Sequence, residues 1–149
     1  MNNGTPKVRL ELESRLECPT LVRGALIGIG ETRAGDPELL DDVKTAVSEA
    51  CTHVVLHAYN GDPGPLAVTV AVGHDRGEAA VHDRGSGIQA VSSADDRMGV
   101  GLAVITALSE RAEFISVPGE GTVARVAFAD PCASAVHGGA VGIDIRRWL

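Results

Sequence analysis

The stretch from Asp36 to Tyr59 constrains the fold more than any other part of the chain. Asp36-Pro37-Glu38 reads as a helix start. Asp caps the free N–H groups, Pro has the φ that a first helical position needs, and Glu puts negative charge at the positive end of the helix dipole. Leu40, Val43, Val47, Ala50, Val54 and Ala58 then recur at three- and four-residue steps, so one side of the helix is apolar and must be covered. Asn60-Gly-Asp-Pro-Gly-Pro65 ends the element, because Gly and Pro favour turns.

The cover is predicted to be a sheet. Val8 to Glu13 and Leu66 to Val72 alternate apolar and polar residues, as half-buried strands do. Ala79 to His82 makes a further strand after a turn at His74 to Gly77, and Glu113 to Val117 and Thr122 to Phe128 flank the hairpin-like Pro118-Gly-Glu-Gly121. Two more helices are expected. One runs from Pro19 to about Ala34, with Leu21, Val22, Ala25, Leu26 and Ile29 at helical spacing; the other runs from Val100 to about Glu110 on Leu102, Val104, Ile105 and Leu108. The order β-α-α-β-β-α-β-β predicts an α+β fold, a two-layer α/β sandwich whose mixed, mainly antiparallel sheet carries helices on one face. Residues 1–129 would form one domain. Residues 130–149 are rich in Ala and Gly and have no clear period, so they are expected to be an extension.

Charge and cysteine usage narrow the function classes. Thirteen Lys and Arg against twenty Asp and Glu leave a formal net charge of −7, the wrong sign for a nucleic-acid surface. Cys18, Cys51 and Cys132 lack metal-ligand spacing and are odd in number, which favours small buried hydrophobes in a reducing compartment over a disulfide framework. No apolar run reaches the roughly eighteen residues of a membrane span. A cytoplasmic protein without membrane contact is the expectation.

Three short patterns carry the chemistry. Glu49, His53 and His57 lie at i, i+4 and i+8 on the long helix, so they share one side. Asp83-Arg-Gly-Ser-Gly87 closes a strand, Gly99-Val-Gly101 opens a helix and Gly121-Thr122 opens a strand. A glycine-rich helix entrance can receive phosphate. Each pattern also has a plain reading: a solvated helix face, a turn, a pair of helix-packing glycines. The two histidines would equally suit a zinc-like pair, although no third ligand is evident.

Taken in this order and spacing, the patterns resemble the nucleotide-binding boxes of the GHKL (Bergerat-fold, histidine kinase-like) ATPase superfamily. Val47-Ser-Glu-Ala-Cys-Thr-His-Val-Val-Leu-His-Ala-Tyr59 is similar to its N box, and the similarity runs through Phe128. Within the superfamily the chain looks closest to the stand-alone anti-sigma factor serine kinases. The resemblance implies that Asp83 accepts a hydrogen bond from the adenine amino group, that Gly85 and Gly87 let the backbone approach the base, and that Thr122 is a second adenine-side contact. It also implies that Gly99 and Gly101 bind the phosphates of ATP or ADP, that Arg97 neutralises γ-phosphate charge, and that Glu49 is the general base for a serine hydroxyl. The implied partners are a sigma factor and a STAS-type antagonist protein, and the resemblance allows a homodimer.

The sequence departs from the family at His53, where relatives carry an Asn whose amide oxygen helps hold Mg²⁺. Magnesium prefers oxygen ligands in a strict octahedron, and an imidazole nitrogen is a poor replacement. Two expectations follow: an ATP-dependent kinase of an antagonist protein, or a weakly catalytic module that uses nucleotide to choose between protein partners.

Overall fold

The computed structural model describes residues 7–31, 37–72, 76–85, 103–117 and 119–129. Five strands form a single sheet: β1 (Lys7–Glu13), β2 (Pro65–Val72), β3 (Arg76–Asp83), β4 (Arg111–Val117) and β5 (Gly121–Ala129). Their spatial order is β1-β2-β3-β5-β4. All four pairings are antiparallel, so the expected mixed sheet is antiparallel throughout its described strands. The cause lies in the last strand. β3 and β4 run the same way, and β5 inserts between them instead of beside β4 at the edge.

Helices α1 (Cys18–Glu31) and α2 (Pro37–His57) cover one face of the sheet. α2 buries Leu39, Val43, Ala46, Val47, Ala50, Cys51, Val54 and Val55. The stripe begins at Leu39 and not at Leu40, which is only half-buried. The opposing strands supply Leu66, Val68, Val70, Val72, Ala79, Val81, Val126 and Phe128 to the same core, as residues of one parity along each strand. Each Val or Leu buried here contributes about 1.5–3 kcal/mol. A short helical segment at residues 103–108 adds the fully buried Ile105. Cys18 and Cys51 are free thiols buried between α1 and α2, as expected of small hydrophobes.

Several boundaries differ from the sequence reading. α2 stops at His57, two residues before Tyr59, because Asn60 and Gly61 turn the chain through positive φ angles of 54° and 89°. β3 starts at Arg76 and not at Ala79. Gly77, which looked like a turn residue, pairs with Val72 and Phe128 inside the sheet. A Cβ on Gly77 would stand 3.1 Å from Val43 Cγ2, so the overlying helix leaves little room for a side chain there. β4 likewise begins at Arg111, ahead of Glu113. The Ile88–Met98 loop and residues 130–149 lie outside the described residues. No described helix is long and apolar enough to cross a membrane.

Candidate functional site

The antiparallel register of β3 and β5 places Asp83 directly across from Thr122. Both side chains belong to the parity that faces α2, together with Val81 and Ala124. Ala50, His53 and Val54 approach from the helix and Phe114 from β4, so these eight residues line one cleft. Three residues singled out by sequence, His53, Asp83 and Thr122, are thus brought together from three elements.

Asp83 is the polar centre of the cleft. It is 5% exposed, and one carboxylate oxygen, Oδ1, accepts a hydrogen bond of 2.8 Å from the Gly85 amide. Burial pushes the Asp83 carboxyl above its ordinary range, and the Gly85 amide, the His82 side chain and the Thr122 amide partly oppose that shift. A buried carboxylate with Oδ1 held by the Gly85 amide, in a cleft whose lining is mainly apolar, suits a single N–H donor of a planar ligand. Thr122 is also buried, and its hydroxyl donates to Ser116 Oγ at 3.3 Å.

The corner that holds Asp83 is built from glycines and one tyrosine. A Cβ on Gly121, where φ is +110°, would stand 2.0 Å from the Asp83 carbonyl oxygen. A Cβ on Gly85 would stand 2.1 Å from the Ala58 carbonyl oxygen, so the contact that excludes a side chain there is with the end of α2. The Tyr59 hydroxyl donates to the Pro65 carbonyl and accepts from the Arg84 amide at 2.8 Å. Its ring occupies the space where a Gly64 side chain would go. One side chain therefore ties the helix end to the start of β2 and the exit of β3.

Along α2, Glu49 is half-buried one turn before His53, outside the cleft lining. His53 is half-buried, and burial, then the neighbouring His57, lowers its basicity. The two rings lie 4.9 Å apart between centroids and are tilted by 51°, while His57 itself is exposed. Among the described residues no group of three or more His, Cys, Asp or Glu is placed to hold a metal ion, so the zinc-like pair finds no third ligand there. Gly87, Arg97, Gly99 and Gly101 lie outside the described residues.

Sequence reasoning missed the apolar walls, Val81, Phe114 and Ala124. Period-two alternation puts Val81 with Asp83 and Thr122 with Ala124. Nothing local shows that β5 passes β4 to pair with β3.

Residues 12–128 match the family model described as a histidine kinase-like ATPase domain. A serine-protein kinase RsbW of Bacillus cereus is 32% identical over 79 residues, covering 53% of this chain and 49% of that protein. An anti-sigma F factor of Caldanaerobacter subterraneus is 32% identical over 99 residues, covering 60% of this chain and 69% of that protein. The chain thus spans about half the length of the RsbW relatives it matches. Among solved structures, the RsbU and RsbW domains of a Mycobacterium tuberculosis protein superpose with a TM-score of 0.63 at 22% identity, over 84% of this chain and 32% of that one. A histidine kinase domain from Erythrobacter litoralis gives 0.51 at 17% identity, over 83% of this chain and 64% of that one. At these identities the two structures show the shared fold.

Proposed function

Because the chain belongs to the histidine kinase-like ATPase domain family, we propose that it binds ATP and ADP in the cleft beneath α2 and acts as an anti-sigma factor and protein serine kinase of a partner-switching system in the cytoplasm. The observation that carries this reading is the buried Asp83 carboxylate, which faces Thr122 and the helix bearing Glu49 and His53. The adenine amino group donates to the free side of Asp83. Guanine presents a carbonyl at that position and would meet an acceptor with an acceptor. Thr122 borders the same base, and Gly85 holds the carboxylate in its orientation.

Gly87, Gly99 and Gly101 are assigned to the backbone path around the nucleotide, and Arg97 to γ-phosphate charge, on their places in the sequence motifs. Glu49 takes the proton of a serine hydroxyl on a STAS-type antagonist as the new O–P bond forms and the bond to the departing ADP oxygen breaks. A sigma factor is the second partner.

His53 does not fit the role of a magnesium ligand. It offers nitrogen, not oxygen, and burial favours its neutral form. That observation favours a second reading, a weakly catalytic module whose bound nucleotide selects between protein partners. Titration of ATP and ADP with and without Mg²⁺ tests the binding claim, and transfer of γ-phosphate to a STAS-type protein tests the kinase. Binding with transfer supports the first reading, binding without transfer the second, and no binding removes both. Under the second reading His53→Asn raises Mg²⁺-dependent turnover, and an unchanged rate counts against it.

A further inference from the structure

The strand register builds a trough on the sheet face turned away from α1 and α2. Glu11 of β1, Ala67 of β2 and His82 of β3 form one row across three strands. Arg9 stands one row along on β1, and Arg84 follows His82 by two residues, on the same parity. Between them β2 offers only Ala67 and Pro65. Long side chains thus rise on both sides of a short floor, with β1 and β3 roughly 10 Å apart. The cavity they enclose measures about 300 Å³, and its lining includes Arg9, Glu11, Pro65, Ala67, His82 and Arg84. That volume is at the lower end of small-ligand sites.

The charge of the trough runs against that of the chain. The sequence carries a net charge of −7, yet here two guanidiniums and an imidazole face one carboxylate. Glu11 accepts from Arg9 Nε at 3.2 Å, with side chains 75% and 50% exposed, so the pair is weakly held and can yield to a ligand. Arg84 is exposed, and among the described residues no carboxylate lies within ion-pair distance of it. His82 is half-buried. Burial lowers its basicity; Asp83 opposes that shift, and Arg84 and Arg9 add to it, so both guanidiniums reach the ring. The other described carboxylates of this face stand apart: Glu13 is paired with Arg15 at 2.8 Å, Glu113 with Arg125 at 3.4 Å, and Glu78 lies two rows from His82.

We propose that this trough binds a small soluble phosphomonoester, its phosphate between Arg9 and Arg84 and its organic part over Ala67 and Pro65. Guanidinium forks match phosphate oxygens in geometry and keep their charge throughout the working pH range. A phosphate dianion is balanced by two of them, where a carboxylate needs one. His82 and Arg84 flank Asp83 in the sequence but face the opposite side of the sheet, so the trough shares a strand with the cleft under α2 and not a surface.

Titration of the ¹⁵N-labelled full chain with phenyl phosphate, followed by NMR at constant ionic strength, tests the site. The backbone amides of Ala67, His82 and Arg84 should shift together and saturate. Arg9→Gln and Arg84→Gln should each weaken binding several-fold, in proteins whose remaining spectrum shows the native fold. Inorganic phosphate should act on the same amides with lower affinity, because it leaves the apolar floor uncovered. Shifts that fail to saturate, or that sodium chloride reproduces at matched ionic strength, would overturn the proposal. So would unchanged affinity in both folded variants, or equal affinity for inorganic phosphate and phenyl phosphate.

Discussion

Replacing Asp83 by Asn separates what the carboxylate does for the ligand from what it does for the fold. In the wild type the Gly85 amide donates to Oδ1 at 2.8 Å. In Asp83→Asn that donor selects the amide oxygen, so the side-chain NH₂ is turned into the cleft, toward the amino group that the proposed ligand would present. The lost charge-assisted hydrogen bond is worth about 1.5–3 kcal/mol, and two buried donors facing each other cost about 1–3 kcal/mol more. Together, about 2.5–6 kcal/mol corresponds to ATP binding weakened roughly 10²- to 10⁴-fold. The fold should not suffer in parallel. Asn keeps the acceptor for Gly85 and removes a charge whose burial is unfavourable, since burial raises the Asp83 carboxyl, and this gain offsets the loss of the lesser interaction with the Thr122 amide. A raised carboxyl penalises the folded wild type as pH climbs through its folded pKa, and this penalty vanishes below the ordinary value of 3.8. At neutral pH the variant should therefore melt no lower than wild type, and any advantage should shrink in acid. Calorimetric titration with ATP, paired with thermal melts, decides the matter. Affinity within a few-fold of wild type would refute the role given to Asp83, and lost affinity accompanied by lost folding would refute the separation.

Three further perturbations test the frame around the site. Tyr59→Phe keeps the ring over Gly64 but removes both hydroxyl bonds, at a cost of about 1–3 kcal/mol; melting should fall by a few degrees, with a smaller loss of ATP affinity than in Asp83→Asn. Gly121→Ala introduces a Cβ 2.0 Å from a carbonyl oxygen at a φ of +110° and should cost about 2–4 kcal/mol in urea denaturation, so a loss below about 0.5 kcal/mol would show that the corner yields freely. His53 and His82 are both made less basic chiefly by burial. The unfolded chain then binds more protons as pH falls below the ordinary 6.5, and stability declines from there toward the folded values. Urea midpoints at about pH 7.5 and 5.5 should show that loss, and His53→Gln should reduce it; equal loss in the variant would remove His53 as a source.

Local sequence determined the elements of this protein more securely than their arrangement. The three- and four-residue recurrence of Val43, Val47, Ala50 and Val54 is enough to define the buried side of α2, because helix geometry relates those positions wherever the helix sits. Alternation within each strand likewise put Asp83 on the parity of Val81, and Thr122 on that of Ala124. Asp83, Thr122 and His53 were each legible as candidate site residues because they stand in motifs of characteristic order. The family pattern, and not spacing alone, gave them their expected chemistry.

Other properties depend on contacts between residues far apart in the chain. β5 pairs with β3 and not only with its hairpin partner β4, and that pairing is what sets Thr122 opposite Asp83. Gly77 looked like a turn residue and is a strand residue, because Val43 packs on it from the helix above. The depth at which Asp83 lies, and with it the upward shift of its carboxyl, is set by Ala50, Val54 and Phe114 arriving from other elements. Periodicity is a property of neighbours along one chain segment and survives in the sequence. Strand order and the desolvation of a carboxylate are properties of packing, and only the folded chain decides them.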